Sequence, residues 1–225
     1  MKRLNLFVMC LFASLLVLDA SAQEKKPYLG TSPMGFVNMS MLSPLSLTVL
    51  YRDVKDIKWE SENVSVDTES NKKAESSHGL TFSRTRKGAS DKTPNYNRNY
   101  YYLTPTKLGP TKVVFSAVTD EGEVLKQTLV MSVGESSNMN LGLEAPAEIV
   151  KSGDSQSLKM TVGKDVKYVL VYISGQDKYY YEKASGGKVK FKLDLSDITK
   201  DAYVYIVAFD AEYKTNNFNS KIVVK

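Results

Sequence analysis

Apolar and polar residues alternate with a period of two along most of this chain. The clearest stretch is Lys188-Val189-Lys190-Phe191-Lys192-Leu193-Asp194-Leu195. As an extended strand it puts Val189, Phe191, Leu193 and Leu195 on one dry face and the charged residues in water. As a helix the same residues would scatter their apolar side chains around the cylinder. Strand-like runs recur at 157–162, 167–174, 178–183, 188–195, 203–209 and 219–224, with a further one through 141–143 and Ile149. Turn chemistry separates them at Gly153-Asp154, Gly163-Lys164-Asp165, Gly175-Gln176-Asp177, Gly186-Gly187 and Thr215-Asn216-Asn217.

The first half follows the same rule with longer runs. Strands are predicted at 34–39, 45–51, 57–60, 64–67, 80–83, 100–103, 112–119 and 123–133, with a hairpin turn at Asp120-Glu121-Gly122. Residues 83–99 are rich in Lys, Arg, Asn, Ser, Gly and Thr and read as a long exposed loop. Gly134-Glu135-Ser136-Ser137-Asn138 is small and polar and lies between two β patterns. Short strands at this spacing predict an all-β protein of two tandem immunoglobulin-like β-sandwiches. The first spans 23–133, a linker spans 134–140, and the second spans 141–225.

The N-terminus carries a different pattern. Lys2 and Arg3 precede an apolar run from Leu4 to Leu18, and Ala20-Ser21-Ala22 offers small residues at a cleavage site. This predicts a signal peptide over 1–22, cut before Gln23. The run is too short for a spanning helix, which needs about 20 apolar residues. Met9 before Cys10 does not suit a lipoprotein. Asn38-Met39-Ser40 and Asn63-Val64-Ser65 match the glycosylation triplet, but the leader and its junction read as those of a bacterial envelope protein. The predicted location is the periplasm or cell surface of a Gram-negative bacterium. Cys10, the only cysteine, leaves with the leader, so the sandwiches must hold by packing alone.

Two resemblances sharpen this picture. Leu193-Asp-Leu-Ser-Asp-Ile-Thr-Lys-Asp-Ala-Tyr203 followed by Val-Tyr205-Ile-Val207-Ala-Phe209 is similar to the end of a fibronectin type III module. The resemblance covers 141–225 and implies that Tyr203 is a tyrosine-corner residue, its ring in the core and its hydroxyl bonded to the connecting loop. In the first half, Leu47-Thr-Val-Leu-Tyr-Arg-Asp-Val54 and Tyr102-Leu-Thr-Pro-Thr-Lys-Leu-Gly109-Pro-Thr-Lys-Val-Val114 resemble the periplasmic β domains of the gliding and type IX secretion motor shaft protein of Bacteroidetes. That likeness implies a relative of one module, without the helix and coiled region of the shaft.

Composition argues against most chemistry. The formal net charge is +5 and the basic residues are spread out, with one tight run at Arg84-Thr85-Arg86-Lys87. No nucleic-acid partner is expected. The mature chain has one histidine, His78, in a polar turn, so a catalytic triad and a zinc site are both disfavoured. Asp194, Asp197 and Asp201 lie close together but lack the spacing of a calcium loop. The carboxylates alternate with lysines on strand faces, where solvated charge belongs, so a hydrolase is a minor alternative. No catalytic residue, cofactor or metal is predicted.

Tyrosine is the unusual resource, at 14 residues. Tyr96, Arg98, Tyr100 and Tyr102 form one run, and Tyr179 and Tyr181 share a strand face in another. Flat amphipathic rings beside Arg and Asn suit a protein interface or sugar stacking, although high β-propensity alone would place tyrosine in strands. Trp59 reads as core or half-core. The functional expectation is a non-enzymatic envelope protein acting by protein–protein contacts, an accessory to a secretion or surface assembly. The alternative is a carbohydrate-binding module using these tyrosines.

Overall fold

The structure is a computed structural model that describes residues 26–41, 43–62, 64–67, 83–85, 96–135 and 139–225. The leader, His78 and Asn63 lie outside the described residues.

Among the described residues nine strands build the first sandwich: β1 (Tyr28–Ser32), β2 (Phe36–Ser40), β3 (Leu45–Arg52), β4 (Val54–Ser61), β5 (Val64–Asp67), β6 (Ser83–Thr85), β7 (Asn97–Pro105), β8 (Gly109–Thr119) and β9 (Val124–Gly134). One sheet runs β1-β3-β7-β5, with β6 also on β7, and the other runs β2-β9-β8-β4. In immunoglobulin lettering these are the ABED and A′GFC sheets. The chain crosses between the sheets from Ser32 to Phe36, through a cis Ser32–Pro33 bond and Gly35 at φ +76°, a conformation open to glycine. On β8, inward and outward positions alternate without a break, and Val113, Phe115 and Ala117 point in. They meet Leu47, Val49, Leu103, Leu129 and Met131 to form the first core. Burying each large side chain is worth about 1.5–3 kcal/mol.

The second sandwich has seven strands: β10 (Glu148–Val150), β11 (Ser155–Thr161), β12 (Tyr168–Ile173), β13 (Tyr179–Lys183), β14 (Lys188–Asp194), β15 (Ala202–Phe209) and β16 (Thr215–Val223). β11 pairs with β14, and the opposite sheet runs β10-β16-β15-β12-β13. The segment before β10 bridges Glu144 to Thr161 on one sheet, and β10 then joins β16 in parallel on the other. Val169, Val171, Ile173, Phe191, Leu193, Val204 and Ile206 form its core. On β14 the predicted face is the buried one, with Val189, Phe191 and Leu193 inside. The chain is an all-β protein of tandem immunoglobulin-like sandwiches.

Four local expectations differ from the structure. Tyr203 is not in the core: its side chain is 65% exposed, and Ala202, Val204, Ile206 and Ala208 point inward instead. The reason is that β15 is apolar on both faces, so the bulky aromatic residues mask the true phase. The Asn216-Asn217 turn is strand, because the reversal falls one step earlier. There Asp210 accepts the backbone N–H groups of Glu212 and Lys214 at 2.8 and 2.9 Å, and Tyr213 takes φ 59°. β6 and the start of β7 occupy both ends of the expected 83–99 loop, whose residues 86–95 lie outside the described ones. β1 was not expected, since Tyr28-Leu-Gly-Thr-Ser is short and mostly polar; pairing with β3 stabilises it. Trp59 is half-buried, edge-on to Tyr101 at 5.7 Å.

Candidate binding cleft at the domain junction

The outer face of the β10-β16-β15-β12-β13 sheet is apolar where it meets the first sandwich. β12 and β15 pair so that Tyr172 lies directly opposite Tyr205. Phe36, at the start of β2, reaches across to both. Its ring is 4.9 Å from Tyr205 at 18° and 6.2 Å from Tyr172 at 22°. Tyr172 and Tyr205 are themselves near-parallel, 6.2 Å apart at 19°. Tyr172 is fully buried, its hydroxyl donates to the Gln176 carbonyl at 3.3 Å, and burial pushes its phenol up to about 12. Offset stacking of such rings adds about 0.5–1.5 kcal/mol per pair beyond the area buried.

A second apolar patch continues the seam. Leu170, Val207 and Phe209 are buried there beneath Phe36, Tyr168, Tyr179, Tyr181 and Tyr213. Tyr181 stacks on Tyr168 at 5.2 Å and meets Phe209 edge-on at 5.9 Å, and burial raises its phenol well above the usual range. Polar contacts clasp the edge. The Tyr179 hydroxyl donates to Glu62 at 3.3 Å, and Lys112 Nζ reaches the Asp177 carbonyl at 3.3 Å and Glu62 at 3.5 Å. The Glu135 N–H donates to the Tyr213 carbonyl at 3.0 Å.

Beside the aromatic stack a cleft of about 600 Å³ opens between the sandwiches. Met34 and Gln127 line it from one side, and Tyr172, Lys200, Tyr203 and Tyr205 from the other. Met34 is 67% exposed and Tyr203 65% exposed, so large apolar groups stand in water on both lips. Asp201 on the rim holds Lys221 at 2.6 Å, which keeps its carboxyl below the ordinary range.

The tyrosines singled out in the sequence fall into two separate places. Tyr179 and Tyr181 lie in the seam, engaged by the first sandwich. Tyr96, Arg98, Tyr100 and Tyr102 lie on or just before β7, in the sheet away from the seam, and are half-buried. Tyr96 packs on Tyr28 at 4.9 Å, with the Arg52 guanidinium 5.3 Å from its ring centre. The structure does not bring the two groups together. The sequence reading passes over Met34, Phe36 and Tyr172, and takes Tyr203 and Tyr205 as part of a fibronectin-like strand, not as binding residues. Tyr203-x-Tyr205 beside inward Val204 and Ile206 did carry a signal, because a strand apolar on both faces is a strand covered on both. Asp194 is held by Lys178 at 2.7 Å, and among the described residues no three His, Cys, Asp or Glu side chains group as metal ligands.

No protein-family model matches the chain, and no curated relative does. Among solved structures, β-glucuronidase of Parabacteroides merdae is 11% identical over 88% of this chain and 24% of its own, with a TM-score of 0.33. The Yersinia pseudotuberculosis adhesin InvE is 11% identical over 87% of this chain and 58% of its own, at 0.28. The N-terminal Ig1-2 module of the Drosophila receptor protein tyrosine phosphatase DLAR is 12% identical over 90% and 97%, at 0.29. The strand order, not these scores, defines the class: a tandem immunoglobulin-like protein with an aromatic seam and an open cleft beside it. No helix among the described residues is long and apolar enough to cross a membrane.

Proposed function

We propose that this chain is an exported, non-enzymatic binding protein that works by protein–protein contacts through the junction cleft. The reading takes 1–22 as a cleaved leader and 23–133 and 141–225 as two units joined at 134–140. One observation carries it. Met34 and Tyr203 are exposed on opposite lips of a cleft whose wall is a packed aromatic stack. An exposed Met–Tyr pair over a rigid wall suits an interface anchor, since aromatic residues and Met are enriched at such interfaces. The likeness of residues 47–54 and 102–114 to shaft-protein domains supports a partner in an envelope secretion or surface assembly. The outer face of β7, with Tyr96, Arg98, Tyr100 and Tyr102, is a second candidate surface in the same reading.

A photo-crosslinking residue at position 203 tests it in native envelope. A discrete protein adduct that fades with excess wild-type protein and with Met34→Ser is the expected result. No adduct at 203, beside a working control at another exposed site, would remove the cleft from the proposal. A glycan ligand is the second reading, favoured by the exposed Tyr203 ring with Lys200 and Asp201 beside it. Binding on a glycan array that Tyr203→Ala abolishes would select it.

A further inference from the structure

The outer face of the two-stranded sheet in the second sandwich is basic, and Glu144, bridged through the backbone to Thr161 at its margin, makes no ion pair with its lysines among the described residues. β14 presents Lys188, Lys190 and Lys192 to solvent at alternate positions. β11 adds Lys159 directly opposite Lys190. Lys183, at the end of β13, joins Lys159, Lys188 and Lys190 along a groove of about 630 Å³ that also takes in Thr161 and Ser185. All five lysines are exposed. None is ion-paired among the described residues, whereas Lys55, Lys112, Lys151, Lys178, Lys214 and Lys221 each hold a carboxylate. The other outward positions of β11 are Ser155, Ser157 and Thr161, and Asp194 at the end of β14 is taken by Lys178.

Like charges at directly opposed strand positions cost stability, so the Lys159–Lys190 pair works against the fold. Protection of an exposed sheet edge does not require this arrangement. Any charge blocks edge pairing, and mixed signs would do so without repulsion. An excess of one sign gathered on one face is a surface for an opposite charge.

We propose that this face docks an acidic, extended polypeptide segment of a partner protein. The spacing selects that occupant. Two residues of extended chain span about 6.8 Å, so lysines at alternate positions of β14 repeat at the interval of carboxylates at alternate positions of a strand-like peptide. A peptide laid along β14 therefore meets Lys188, Lys190 and Lys192 in register, with Lys159 and Lys183 beside the row. The face lies on the sheet opposite the one that carries the cleft, so the two proposals stand or fall separately.

The probe is a short fluorescein-labelled peptide that alternates Glu and Thr, followed by fluorescence anisotropy with the purified protein at low ionic strength. Binding is expected, weakening steeply as salt rises, because these charges are exposed and screened. The triple variant Lys188→Gln/Lys190→Gln/Lys192→Gln is expected to weaken it about tenfold or more, while Lys126→Gln/Lys164→Gln/Lys167→Gln leaves it nearly unchanged. A peptide of the same composition with its glutamates in one block is expected to bind more weakly. The proposal is overturned by no binding at low salt, or by equal losses in the two triple variants. It is also overturned if the blocked peptide binds as well as the alternating one, or if a sulfated polysaccharide or single-stranded DNA binds tenfold tighter. Lys190→Gln alone removes the repulsion with Lys159, so a folded single variant is at hand should the triple misfold.

Discussion

Phe36 of the first sandwich stacks on Tyr205 of the second, ring centres 4.9 Å apart and planes 18° from parallel. Phe36 packs against a separate buried cluster, Leu170, Val207 and Phe209, that shares no residue with either domain core. Phe36→Ala removes a half-buried ring and leaves Tyr172 and Tyr205 facing a gap. The expected cost is about 1–3 kcal/mol, below that of a fully buried Phe, because water can enter the site. Urea denaturation reads the loss, and small-angle scattering reads a wider spread of domain arrangements. Phe115→Ala in the first core should cost about 3–5 kcal/mol. Unchanged scattering in Phe36→Ala would show that the stack does not hold the sandwiches together.

Gly134 closes the seam by having no side chain. A Cβ there would lie 2.7 Å from Thr215 Cγ2 and 2.8 Å from the Tyr213 carbonyl oxygen. The carbonyl is backbone, so relief requires the two sandwiches to move apart. Gly134→Ala is expected to destabilise by about 1–3 kcal/mol and to alter the scattering profile. Gly122 is the contrast. It sits at φ +86° in open space at the β8–β9 turn. Gly122→Ala should cost about 1 kcal/mol through backbone strain and leave the domain arrangement as it is. If both variants behave alike by scattering, the close approach at Gly134 is not what sets the seam.

Much of this fold was legible because most strands bury one face. Where that holds, as on β8 and β14, alternation alone names the inward residues. It fails where the seam covers the second face. β15 carries Ala202, Val204 and Ile206 toward one core and Val207 and Phe209 toward the other domain, and the larger residues drew the phase the wrong way. The cleft was illegible for a related reason. Its lips come from residues 34 and 203, far apart in sequence and joined only by the packing of the two sandwiches. Tyr179 and Tyr181 were visible as unusual, but sequence alone could not separate a ring kept for a partner from one spent on the neighbouring domain.

Asp194 predicts an acid response. Lys178 lies 2.7 Å from its carboxylate, and the Ser196 hydroxyl and N–H donate to it at 2.7 and 3.1 Å. These contacts, Lys178 first, hold the carboxyl below its ordinary 3.8. A lowered folded-state value stabilises the protein above 3.8, and that stabilisation is lost as pH falls through the lower folded value. Wild type should melt above Asp194→Asn at neutral pH, and the gap should close on acidification below 3.8. A gap that stays constant across that range would assign the effect to packing, not charge.

Tyr172 predicts the opposite limb. Its phenol is buried in the seam and shifted from 10.0 to about 12. A raised folded-state value means the unfolded chain ionises first. Its contribution is therefore complete below pH 10.0 and declines as pH climbs toward about 12. At about 1.4 kcal/mol per unit, the loss across that window is roughly 2 kcal/mol. Tyr172→Phe keeps the ring and its stack but gives up the hydroxyl bond to Gln176. It should be about 1 kcal/mol less stable than wild type at neutral pH. Above pH 10.0 the order should narrow and then reverse, since phenylalanine has no proton to lose. Denaturant midpoints of the two proteins across the alkaline range test this. Parallel curves would mean that alkaline unfolding begins elsewhere, and that the seam does not set the upper pH limit.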